Sequence, residues 1–266
     1  MAPRLYPHEL LMRLNSKGHC VALTAFIAIV LAHWVEHITQ AIQIYALGWP
    51  VHHAGGALGL AFPWLVHTEW LHYGYALVML IGLVALRPAF LGSAGLWWLA
   101  ALVIQVWHHC EHLLLLTQAL SGHNLAGRAV PTSIAQLLFP RVELHLFYNT
   151  IVFVPMVIAI ALHWRPADAE RKAARCSCPY ALTGQRQEEG RYKAGTAARR
   201  AMMWTCNAMM LGALLFIGLF IGVAFMQLVS NASEQAVLLL ALSSAVTLGG
   251  FLLLMRELRN GSRLNR

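Results

Sequence analysis

Two five-residue stretches, HWVEH at 33–37 and HHCEH at 108–112, each place two or more histidines and a glutamate inside a long apolar run. Residues three and four apart share one face of a helix. His33, Glu36 and His37 therefore project together, and so do His108, Glu111 and His112, with His109 beside them. HTEWLHYGY at 67–75 adds Glu69, His72 and Tyr75, and ELHLFY at 143–148 adds Glu143, His145 and Tyr148. Neutral imidazole and carboxylate are the usual donors to zinc, iron and copper in such surroundings. Eleven candidate ligands result: His33, Glu36, His37, Glu69, His72, His108, His109, Glu111, His112, Glu143 and His145. The set exceeds the needs of one ion, and implies either two ions or one ion with a hydrogen-bonded surround. Glu36 and Glu111 are the candidate catalytic bases. Tyr75 and Tyr148, one turn beyond His72 and His145, are candidate proton or redox donors.

The segments that carry these groups belong in lipid. Of 266 residues, 59% are hydrophobic and 11% charged, against about 25% charged in an average soluble domain, and the mean hydropathy is +0.59. Runs near the roughly 20 residues that a bilayer requires predict six transmembrane helices, at Val21–Leu47, Trp64–Leu86, Ala94–Leu120, Val142–His163, Met202–Val229 and Ala236–Met255. The fold class expected is an all-α polytopic membrane protein. Seventeen of the nineteen Lys and Arg residues fall on one side of that topology, with only Arg128 and Arg141 on the other. The net charge of +8 then reads as a topology signal with both termini cytoplasmic, in a bacterial inner or plasma membrane, and not as a nucleic-acid surface. The first twenty residues lack the pattern of a cleaved signal peptide. Five scattered cysteines, with Cys176 and Cys178 only one residue apart, indicate neither a disulfide framework nor a CxxC zinc site.

An internal repeat organises the first four spans. HxxEH at 33–37 and 108–112 is followed each time by Thr-Gln-Ala (39–41, 117–119), Phe-Pro (62–63, 139–140) and LHxxY (71–75, 144–148). The unit is a helical hairpin used twice, repeat A over 21–87 and repeat B over 94–164, giving a four-helix bundle within 1–165. Residues 166–200 form a basic loop and 201–266 a two-helix hairpin without buried acids. A carboxylate at the bilayer centre costs about 3 kcal/mol when unpaired, so the four glutamates need partners, and every one has a histidine within four residues. Helix direction and rise place all four motifs at one depth, in the half of the membrane away from the termini. His52, His53 and His123 lie in the loops above.

The chemistry expected is that of a membrane oxidoreductase with a mono- or dinuclear His/carboxylate centre, acting on an apolar small molecule or a quinol. The ligand types resemble those of soluble carboxylate-bridged di-metal bundles, and the abundance of histidine resembles histidine-box membrane hydroxylases, although the motifs match neither in order. HxxEH alone is also the inverted zinc-peptidase motif, whose single zinc centre has no use for a symmetry mate. A b-type haem subunit can use one histidine per helix, at His37, His72, His112 and His145, but has no need of four glutamates. A metal-ion transporter needs polar groups through the whole depth, and the halves ALVMLIGLVAL and IVFVPMVIAIAL have none. An accessory role in a larger complex, docked through the last two helices, is the remaining alternative.

Overall fold

The computed structural model describes residues 7–176 and 178. The two spans expected at Met202–Val229 and Ala236–Met255 lie outside the described residues, as does most of the expected 166–200 loop.

Every regular element among the described residues is helical. Amphipathic α1 (Pro7–Leu14) leads into α2 (His19–Ala41), which continues through a π-turn at Ile42–Ala46. Two short helices, α3 (Gly56–Ala61) and α4 (Pro63–His67), precede α5 (Trp70–Leu86). Then come α6 (Gly92–Ser121), α7 (Arg141–Trp164) and α8 (Asp168–Ala173). Four of the helical segments, His19–Ala46, Trp70–Ala89, Gly92–Ser121 and Arg141–Trp164, are long and apolar enough to cross a membrane. In lipid no water is present to satisfy exposed amides and carbonyls, so apolar runs of this length close their hydrogen bonds internally as helices. Three of the four expected spans agree with these limits to within about two residues. The second differs: the helix breaks at Glu69, whose φ of 63° places it in the left-handed region, and the Pro63–His67 turn stands apart from α5.

The four long helices form a closed ring in which α2 and α6 each pack against both α5 and α7. Helices in lipid associate through close packing and hydrogen bonds, not through expulsion of water. The core shows this below the level of the histidines: Leu23, Phe26, Ile27 and Val30 of α2 meet Met79 and Leu83 of α5, Trp98 and Ala101 of α6, and Val152, Phe153 and Met156 of α7. Trp98 is wholly buried and donates from Nε1 to the Leu83 carbonyl at 2.7 Å. The opposite faces, with Val78, Ile81 and Val84 on α5 and Leu96, Val103 and Val106 on α6, are exposed apolar surface suited to lipid tails.

Two ends can be named from the chain. The terminal end holds α1, the α5–α6 connection and the segment after α7. The loop end holds residues 47–69 and 122–140. Gly122, at φ 70°, ends α6 there by returning its N–H to the Gln118 carbonyl at 2.9 Å, and Pro140 sets the entry to α7.

Candidate functional site

Six buried histidines converge at one level of the bundle, two from α2, two from α6 and one each from α5 and α7. His33 and His37 lie one turn apart, with their Nε2 atoms 3.2 Å from each other, and His108 and His112 repeat that spacing at 3.2 Å. Within each pair the rings stand edge to face, with centroids 4.5 Å apart in both cases. His72 and His145, 5.5 Å apart, sit between the two pairs. His37 is 5.9 Å from His72 and 5.7 Å from His145, while His112 is 6.0 Å from His72 and 5.1 Å from His145. Tyr75 covers His33 at 4.4 Å between ring centroids, and Tyr148 covers His108 at 4.7 Å.

Beyond the one Nε2···Nε2 hydrogen bond within each pair, the rings do not satisfy one another. His145 Nδ1 lies 2.7 Å from the Arg141 carbonyl, which can only accept, so Nδ1 carries the proton and Nε2 is left with a bare lone pair. That Nε2 is buried without a partner, as are the Nδ1 atoms of His72, His108 and His112. Each such orphan costs about 1–3 kcal/mol. A bound cation would satisfy the His145 Nε2 lone pair, whereas the orphaned Nδ1 atoms of His108 and His112 point away from the facing Nε2 atoms of their pair.

The glutamates take other partners. Glu36 accepts from Leu58 N–H at 3.1 and 2.9 Å and from Gly59 N–H at 3.3 Å. Gly56, at φ +76°, leaves the room this requires: a Cβ there would stand 2.3 Å from the Glu36 carboxylate. Glu111 accepts from Ala135 N–H at 2.9 Å. Glu143 accepts from the Tyr45 hydroxyl. Glu69 receives Arg141 Nη2 on both oxygens, at 2.7 and 2.5 Å, and its Oε2 is 3.9 Å from His72 Nδ1. The sequence placed these acids beside histidines in the chain; in space Glu36 and Glu111 turn upward, because loop amides over a buried site need acceptors that water cannot supply. His109 is half-buried and faces Tyr73, at 5.4 Å, rather than the six-ring cluster.

Glutamines that the sequence marked only as part of Thr-Gln-Ala also support the loops. Gln40 donates to the Ala54 carbonyl at 2.8 Å, and Gln118 to the Thr132 carbonyl at 2.9 Å, each fourteen residues ahead. The loop histidines His52 and His53 are exposed, 4.2 Å apart, and line a cavity of about 560 Å³ that reaches Glu69, Arg141 and His72. His123 is exposed and bonds locally to the Ser121 carbonyl.

At the terminal end the structure corrects the reading of the cysteines. Cys176 and Cys178 come together with His19, which opens α2, and His163, near the end of α7; all four are buried, and one ligand atom from each lies within 4.8 Å of the others. Cys178 Sγ is 3.4 Å from His19 Nδ1, and Cys176 Sγ is 3.5 Å from His163 Nε2. Cys20 Sγ is 2.9 Å from Cys178 Sγ. The group can hold a metal ion. Its thiols are set apart from one another: the hydrogen bond from Cys178 pulls the Cys176 thiol far below its ordinary range, against the effect of burial, with His163 and His19 adding to the fall. Burial and the same contact push Cys178 up. Spacing within CSC gave no zinc signal; the signal lay in His19 and His163 flanking the first and fourth apolar runs. Comparison with protein-family models, with curated proteins and with solved structures found no match.

Proposed function

We propose that the chain is a membrane metalloenzyme, an oxidoreductase with a dinuclear all-imidazole centre near the loop end of a duplicated four-helix bundle. One observation carries the reading: two HxxxH pairs with Nε2 atoms 3.2 Å apart. Two imidazoles on one ion at metal–nitrogen lengths of about 2.0–2.1 Å span roughly 2.9 Å at a right angle and roughly 3.4 Å at a tetrahedral angle. The observed spacing falls between them. Each pair offers two nitrogens to one ion, and His72 and His145 lie between the pairs, with ring centroids 5.1–6.0 Å from His37 and His112. A third imidazole drawn from these two would still leave a coordination position open, as catalytic sites require.

Imidazole donors suit copper and iron, which change oxidation state, as well as zinc, which does not. Redox chemistry therefore calls for copper or iron here. The cavity of about 560 Å³ reaching His72 has the size of a small-molecule site and opens toward the loops. Copper or iron held by these imidazoles would supply one-electron redox chemistry to a quinol-type molecule held in that cavity. Glu36 and Glu111 hold the loops over the centre, and Tyr75 and Tyr148 pack on His33 and His108, the members of each pair farther from the loops. The parallel roles of Glu36 and Glu111, Gln40 and Gln118, and Tyr75 and Tyr148 support the duplication. The ring separations of 5.1–6.0 Å across the cluster leave no slot for a haem macrocycle. Below the cluster, Gln105 is the one buried polar side chain on α6 until the terminal end, and it is tied to the Ala76 carbonyl at 3.0 Å, which disfavours an ion path across the membrane.

Metal analysis and the optical spectrum of the full chain, purified in detergent, test this. The expected result is two copper or iron ions per chain, without a Soret band, lost when both His37 and His112 are replaced by alanine. Absence of both metals, or a Soret band, overturns it.

A further inference from the structure

We propose that His19, His163, Cys176 and Cys178 form a second metal site, a closed Cys2His2 zinc site that staples the start of the first span and the end of the fourth to the polar segment beyond it. The geometry fits the ion. Zinc–sulfur bonds of about 2.3 Å and zinc–nitrogen bonds of about 2.0–2.1 Å at tetrahedral angles place S and N about 3.5–3.6 Å apart. The two S···N contacts are 3.4 and 3.5 Å, one in each His–Cys couple, and the four donors lie within 4.8 Å of one another. All four side chains are at most 4% exposed. His19 Nε2 is buried without a hydrogen-bond partner, so the imidazole is fixed by its surroundings only through Nδ1 and ring packing.

The surroundings are built to keep the site dry and shut. Phe90 lies 5.7 Å from His19 and 4.6 Å from His163 between centroids, and stacks on Trp98 at 3.9 Å. The segment that delivers the cysteines is pressed against the bundle: at Gly92, φ +49°, an added Cβ would collide with the Glu170 carboxylate. Four buried protein donors describe a structural zinc site, whose binding energy is folding energy. Thiolate donors separate this site from the imidazole centre: sulfur belongs to one and not to the other. The nearby Cys20 is not needed for the tetrahedron, and it offers the competing outcome of a thiol pair with Cys178.

X-ray absorption at the zinc edge on the full chain, expressed with zinc and purified without chelator, tests the site. A shell of two sulfurs and two nitrogens is expected. That signal should vanish in Cys176→Ser and Cys178→Ser and persist in Cys20→Ser and in His37→Ala. Should the serine variants fail to fold, titration of the wild type with a thiol-specific mercurial should release one zinc per chain. A sulfur-free zinc shell, zinc retained undiminished in both serine variants, or a Cys20–Cys178 disulfide in metal-free protein overturns the proposal. Loss of the sulfur-bound zinc with the loop-end metal intact, or the reverse, shows which of the two readings fails.

Discussion

The two histidine clusters sit at opposite ends of one bundle and are assembled by opposite means. The loop-end cluster draws each ring pair from a single helical turn, at i and i+4, so the chain needs only to be helical for His33 and His37, or His108 and His112, to meet. The terminal-end cluster has no such local pair: its ligands come from residues 19, 163, 176 and 178, and chain closure over more than 140 residues brings them together. The first is written in periodicity and is preformed by secondary structure. The second exists only once the tertiary fold is complete.

The sharpest way to break this contrast is at the ring pairs. His37→Ala and His112→Ala should each remove about one of two loop-end ions, and the double variant both, with the thiolate-bound zinc unchanged; metal analysis of the purified variants reads this. Loss of both ions from either single variant would replace the dinuclear centre by a shared one.

Next in size, Cys178→Ser should lower thermal stability in detergent by about 3–5 kcal/mol, the range for losing a buried structural group, with loop-end metal retained. His19 and His33 are fourteen residues apart on one helix, about 21 Å, so the effects of Cys178→Ser and His37→Ala on stability should add to within about 0.5 kcal/mol. A larger coupling would mean that the two ends are not separate.

Smaller still, Glu111→Ala should cost about 1–2 kcal/mol by stranding the partly buried Ala135 amide while leaving metal content unchanged. Metal loss with unchanged stability would restore Glu111 as a ligand. Last, Gly56→Ala forces a Cβ onto the Glu36 carboxylate at a positive φ and should cost about 1–2 kcal/mol, read as a lower melting temperature.

The four long helices and the meeting of His33 with His37 were legible because their signals, the apolar runs and HxxEH, are short-range. What local spacing left open was direction. Glu36 and Glu111 share a helix face with their histidines, yet a carboxylate reaches past the rings to loop amides whose positions no local pattern encodes. The break at Glu69 was hidden for a similar reason: its left-handed turn is held by Arg141, seventy-two residues away. His109 against His108 is a matter of 100° around the helix, which the motif alone does not settle. The Cys2His2 group was illegible because none of its ligand spacings is local except Cys176–Cys178, and that one is atypical.

The π-turn at Ile42–Ala46 bears on how the two halves of the chain can be edited. It accommodates one residue more than an α-turn would, so everything after it is rotated by about 100° relative to a straight helix. The turn itself carries Gln43, which accepts from the Gly56 N–H at 2.9 Å, and Tyr45, which donates to Glu143 of α7. The matching stretch of α6 runs straight to Ser121. Gene length is thus a structural variable here: a one-codon deletion in this turn would repair the helix and undo the bond between the hairpins, whereas the same deletion a few residues later, in the exposed loop, would not. The one extra residue of this turn thus ties the end of α2 to α7 through Tyr45 and Glu143.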